Sequence, residues 1–125
     1  MHRVLYIEDN RDNRLLVRRI LLASDFEFEM LEAASAVEGI RIAREQKPDV
    51  ILMDLSMPDV DGLTATRTLR AFPETEHIPV VAVTANVMQA DKARTLAAGC
   101  VGYIGKPIDV DKFPQEVLSY LRNGT

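Results

Sequence analysis

The sequence predicts an α/β fold: a five-stranded parallel sheet with helices on both faces. Two observations carry that expectation. Short apolar runs alternate with longer amphipathic segments along the whole 125-residue chain. The run Val50-Ile51-Leu52-Met53 is continuously apolar, as suits a strand buried on both sides. Strand-then-helix units in succession call for parallel strands joined by helical crossovers. The length suits one domain over residues 1–125, and 47% apolar residues can fill a core of that size.

Val4 to Ile7 reads as the first strand, ended by Glu8-Asp9-Asn10. Asp12 is placed to cap a helix over Arg14 to Ala23, with Leu16, Ile20 and Ala23 at helical spacing. Phe28, Met30 and Leu31 mark a second strand, and the interleaved Glu27, Glu29 and Glu32 suggest an edge strand with one wet face. Ser35 and Glu38 have capping-box spacing ahead of Ile40 and Ala43, in a helix that must stop before Pro48. Val50 to Met53 then ends in Asp54. Gly62 to Ala71 is a helix with Leu69 inward, and Pro79 opens the strand Val80 to Val83, ending in Thr84. Val87 to Ala98 is a helix stopped by Gly99. Val101 to Ile104 is the fifth strand, followed by Gly105-Lys106-Pro107. A last helix starts near Asp111 as its cap, tolerates Pro114 in its first turn, and buries Phe113, Val117 and Leu121.

The bulk properties exclude several classes. A net charge of −4 argues against direct nucleic-acid binding. The cluster Arg14, Arg18, Arg19 reads as a solvated helix face. One cysteine, Cys100, permits no internal disulfide and fits a reducing compartment, where it is expected to be a buried small side chain. The N-terminus runs straight into a strand containing acidic residues, and no apolar run reaches membrane-spanning length, so a cytoplasmic protein is expected.

The polar residues that matter are positional. In open α/β sheets, sites form beyond the carboxyl ends of the strands. Those ends carry Glu8, Asp9, Asp54, Thr84 and Lys106. Alone, each has a plainer reading as a turn residue, a strand-end cap or a surface charge. Together they would place three carboxylates, a hydroxyl and an ammonium in one small volume. Crowded carboxylates call for a cation, and oxygen ligands favour Mg²⁺ or a similar ion such as Mn²⁺. A nucleophilic carboxylate beside a divalent metal and an ammonium suits phosphoryl transfer.

At these residues the chain resembles the receiver domains of two-component response regulators, nearly end to end. The motifs are Glu8-Asp9-Asn10, Asp54-Leu55-Ser56-Met57-Pro58 with Asp61-Gly62, Val83-Thr84-Ala85, and Tyr103 with Lys106-Pro107. Ile78 to Ala85 and the Asn10/Asn13 pair look like single-domain regulators of the DivK type and the receivers of hybrid kinases. The resemblance implies a flavodoxin-like sheet of order 2-1-3-4-5. It implies Asp54 as phosphoacceptor, and Mg²⁺ held by Asp9, Asp54 and the Ser56 backbone carbonyl, with Glu8 acting through water. It implies Lys106 as the phosphoryl contact, on a cis bond to Pro107, with Thr84 and Tyr103 as switch residues. The implied donor is a histidine kinase or histidine phosphotransfer protein. The implied output is a changed surface of fourth helix, fifth strand and fifth helix, read by a downstream protein or by a second copy of the chain. Ser56 and Asn86 lie where such domains vary, and the resemblance ties their side chains to how water reaches the acyl phosphate.

Three other classes of protein would use some of the same residues. A haloacid-dehalogenase-type phosphatase wants a second aspartate two residues after the nucleophile, where this chain has Ser56. A flavodoxin-like FMN carrier wants a phosphate-cradling loop after the first strand, where Glu8 and Asp9 would repel phosphate. A receiver scaffold that no longer takes phosphate would not need the full set of site residues. The run Asp59 to Gly62 lacks the further ligands of a calcium loop and reads instead as a turn entering a helix.

Overall fold

The computed structural model describes residues 2–55, 60–85 and 89–123. The strands are β1 (His2–Ile7), β2 (Phe28–Ala33), β3 (Val50–Asp54), β4 (Val80–Thr84) and β5 (Gly102–Gly105). The helices are α1 (Arg11–Ala23), α2 (Ala36–Gln46), α3 (Gly62–Ala71), α4 (Gln89–Ala97) and α5 (Phe113–Asn123). The sheet runs β2-β1-β3-β4-β5, and every pairing is parallel. That is the order the resemblance implied.

Alternate residues along each strand feed opposite layers. Val4, Tyr6, Val50, Leu52, Val81, Val83 and Ile104 pack with Val17 and Leu21 of α1 and Phe113 and Val117 of α5. Leu5, Ile7, Ile51, Met53, Val80 and Ala82 pack with Ala43 of α2 and Leu69 of α3. Tyr103 joins this second layer, and Lys92 of α4 lies over its ring, 5.0 Å from the centroid. β3 and β4 are buried throughout, as the unbroken apolar run required.

Several local expectations need correction. The cap of α1 is Asn10, whose side chain accepts from the Asn13 amide, and Asp12 falls inside the first turn. The inward stripe of α1 is Val17, Ile20 and Leu21; Leu16 is 44% exposed, and Ala23 is exposed too. The helix begins three residues before Arg14, and of the expected stripe Ile20 alone faces inward. β2 is an edge strand, but it has no single wet face. Phe28 and Met30 join one layer, Leu31 and Ala33 the other, and its carboxylates are neutralised by pairing: Glu29 with Arg3, Glu32 with Arg14 and Arg18.

Ser35 caps α2 through the Glu38 amide as expected. The helix ends at Lys47, a left-handed residue (φ 47°), which solves the constraint set by Pro48 without helical geometry. Val101 precedes β5 and is 45% exposed, so the fifth strand starts one residue later than the apolar run suggested. Before α5 the capping carboxylate is Asp109, which accepts from the amides of Asp111 and Lys112. An aspartate two residues earlier closes the same turn, which a spacing argument cannot separate from Asp111. Val87 and Met88, the expected start of the fourth helix, lie outside the described residues; Gly99 ends α4 with φ 110°.

α3 has the bounds read from the sequence. Asp61 caps it by accepting from the Thr64 amide at 2.9 Å and the Thr64 hydroxyl at 2.9 Å. Those bonds hold the Asp61 carboxyl below its ordinary value. A depressed folded pKa means the cap contributes stability above the unfolded value and loses it as pH falls through the folded one. Asp61→Ala should therefore lower the melting temperature near neutrality by about 3–5 °C, corresponding to about 1 kcal/mol. The gap to wild type should narrow in thermal melts as pH falls below the ordinary aspartate value and the wild-type cap protonates.

Candidate functional site

Strand register assembles the site. Ile7 pairs with Met53, so Glu8 follows at the level of Asp54. Thr84 pairs with Gly105, and the Lys106 amide donates to the Thr84 carbonyl at 2.8 Å, holding the end of β5 against β4. Strand parity also sorts the residues. Glu8 and Asp54 continue the positions of Tyr6 and Leu52, on the α1–α5 side. Thr84 continues Ala82, on the side where Tyr103 packs.

Glu8, Asp9 and Asp54 each bring a carboxylate oxygen within 4.8 Å of the others. Glu8 is fully buried and Asp54 is 3% exposed, whereas Asp9 is open to solvent. The Lys106 ammonium donates to Glu8 Oε1 at 3.0 Å and to Asp54 Oδ1 at 3.4 Å. The Lys106–Pro107 bond is cis. Thr84 is buried at the end of β4, and Tyr103 is half-buried. The sequence thus named five residues that the fold brings to one end of the sheet. Ser56 and Asn86 lie outside the described residues.

Two arginine and asparagine contacts were not foreseen in this role. Asn13 Nδ2 donates to Glu8 Oε1 at 2.8 Å, and Arg14 donates to the Glu8 carbonyl at 2.7 Å. Arg14 is therefore part of the site's wall, not of a solvated basic face; Arg18, one turn further along α1, pairs with Glu32 of β2. Tyr6, read only as a strand residue, donates its hydroxyl to Glu8 Oε1 at 3.3 Å. The signal for Tyr6 was its spacing: two residues before Glu8 on one strand places both on the same face. At the start of α3, Gly62 allows a close approach, since a Cβ there would sit 2.7 Å from the Asp54 carbonyl oxygen.

The electrostatics follow from crowding. Burial raises the Glu8 carboxyl, but hydrogen bonding with Asp54, Asn13 and Lys106 outweighs it and holds Glu8 below the usual carboxylate range. Burial lowers the Lys106 ammonium, yet Glu8 and Asp54 more than compensate and leave it raised. Burial, then the Glu8 and Asp54 charges, push the Tyr6 phenol far upward, so it remains a donor. Glu8 Oε2 is buried without a hydrogen-bond partner among the described residues. A buried carboxylate oxygen lacking a donor is costly, and hard oxygens around it suit a divalent cation with its water. The donor set fits Mg²⁺.

The comparisons agree with the geometry. The sequence profile of the response regulator receiver domain matches residues 4–118. The polar-differentiation response regulator DivK of Brucella ovis is 43% identical over 118 residues, 94% of each chain. A response regulator from Chloroflexus aurantiacus has a TM-score of 0.88 at 25% identity, covering 97% of this chain and 98% of its own. The receiver domain of the sensor histidine kinase PA1611 from Pseudomonas aeruginosa was solved with a magnesium ion coordinated in its active-site cleft. It has a TM-score of 0.86 at 30% identity and covers 97% of this chain and 98% of its own. The chain belongs to the response regulator receiver domain family of two-component signalling. That membership sets aside the phosphatase and flavin-carrier readings.

Like charges held together without a cation destabilise the fold. Asp54→Asn removes one of them and should raise the melting temperature of the metal-free protein by about 3 °C or more. The same variant should lose most of the stabilisation that Mg²⁺ gives the wild type. Calorimetric melts with and without Mg²⁺ check both, and a lower metal-free melting temperature would contradict the crowding argument.

Proposed function

We propose that this chain is a phosphorylation-dependent signalling switch, a single receiver domain over 1–125 acting in the cytoplasm. Asp54 takes a phosphoryl group from a phosphohistidine on a histidine kinase or histidine phosphotransfer protein. The observation that carries this reading is the buried Asp54 carboxylate beside Lys106 at 3.4 Å, within an acidic group that fits Mg²⁺. The DivK and PA1611 likenesses support a signalling role and a Mg²⁺ site.

The Asp54 oxygen attacks phosphorus in line, forming a P–O bond as the P–N bond of the donor breaks and the imidazole keeps the electron pair. Asp9, Asp54 and the Ser56 carbonyl, with Glu8 through water, would hold Mg²⁺ (or Mn²⁺), which would supply positive charge against the phosphoryl oxygens. Lys106 contacts one of those oxygens. Thr84 then donates its hydroxyl to another, and Tyr103 turns inward toward the space it leaves. The α4–β5–α5 surface changes, and a downstream protein or a second copy that prefers this state shifts the population toward it. The chain acts on its own side chain and is not an enzyme with a separate turnover substrate.

Intact-mass spectrometry after incubation with acetyl phosphate and Mg²⁺ tests the acceptor chemistry. One phosphoryl adduct is expected in the wild type, none without metal, and none in Asp54→Asn. An adduct retained by Asp54→Asn would remove Asp54 from the role. Thr84→Ala should keep the adduct but weaken phosphorylation-dependent partner binding or self-association. Unchanged binding in that variant would rule out the switch hydroxyl.

A further inference from the structure

Glu8 Oε1 receives donors from three separate parts of the fold. Asn13 Nδ2 reaches it from α1 at 2.8 Å, Lys106 Nζ from beyond β5 at 3.0 Å, and Tyr6 Oη from β1 at 3.3 Å. Glu8 Oε2 receives none among the described residues. Two oxygens of one buried carboxylate are thus divided: one is fixed to the protein and one is left over.

Tyr6 is the unexpected member. It is fully buried, and its layer is otherwise built from Val4, Leu52, Val83 and comparable apolar side chains. An aliphatic residue would fill that layer without a polar atom to satisfy. The tyrosine instead carries a hydroxyl through the apolar layer and delivers it to the underside of the acidic pocket. Lys106 is shared with Asp54, and in the proposed reaction it turns to the phosphoryl group. Tyr6 and Asn13 are then the side chains left to hold Glu8 in either state.

We infer that Tyr6 is a positioning residue of the cation site: its hydroxyl fixes Glu8 Oε1 and leaves Oε2 as the oxygen available to the cation's hydration shell. The inference rests on the proposed Mg²⁺-dependent reading and adds to it a residue that sets metal affinity from beneath. Preorganised ligands bind more tightly because less ordering remains to be done on binding. The long Tyr6–Glu8 bond implies a modest effect.

Titration calorimetry with MgCl₂ on wild type, Tyr6→Phe and Asp9→Asn tests it. Tyr6→Phe keeps the ring and removes one oxygen. Its Mg²⁺ affinity should fall about two- to fivefold, with the metal-free melting temperature moving by less than about 3 °C. A second readout uses a Tyr103→Phe, Tyr120→Phe background, in which Tyr6 is the last of three tyrosines. Mg²⁺ should then give a tyrosine difference-absorbance signal. Equal Mg²⁺ affinity in wild type and Tyr6→Phe overturns the role of Tyr6, as does a silent Tyr6 spectrum in protein that binds Mg²⁺. Saturable binding lost in Asp9→Asn with Tyr6→Phe unaffected sinks the Tyr6 role alone. No saturable binding by wild type sinks the Mg²⁺ reading together with it.

Discussion

The site depends on a charge problem: two buried carboxylates, Glu8 and Asp54, meet at the end of a sheet with one ammonium between them. Neither would remain ionised there in apolar surroundings. Lys106 answers part of the demand, the Asn13 amide and the Arg14 contact with the Glu8 carbonyl answer more, and a cation would answer the rest. The fold supplies the forced proximity. Parallel register sets Glu8 level with Asp54, and burial on both faces of β3 leaves Asp54 no alternative position.

This arrangement also divides labour between the two layers. Glu8, Asp54 and the Tyr6 beneath them belong by strand parity to the α1–α5 side. Thr84 and Tyr103 belong to the side where Lys92 of α4 covers the Tyr103 ring. Chemistry on one face of the sheet is therefore separated from the proposed response on the other by the thickness of one strand.

Much of this was legible in the sequence because it is local. A strand that is apolar to its last residue declares where it ends, so Asp54, Thr84 and Glu8 could be placed without knowing the sheet. The helix bounds of α3 followed from Asp61 and Gly62 for the same reason. What failed were choices between near-equivalent polar residues. Asn10 and Asp12 can both cap, as can Asp109 and Asp111, and the winner depends on backbone geometry that spacing does not encode. The roles of Tyr6 and Arg14 were hidden for another reason. Each acts through a contact across elements, and the periodicity of a strand or helix reports only which way a side chain leaves its own backbone.

The two sheet margins carry a consequence for crowding. β5 has four residues, two of them glycine, and β2 presents carboxylates engaged by arginines from β1 and α1. Short margins and charged margins are poor templates for adding another strand. Copies of this chain packed together in solution are thereby discouraged from extending one another's sheets into fibres.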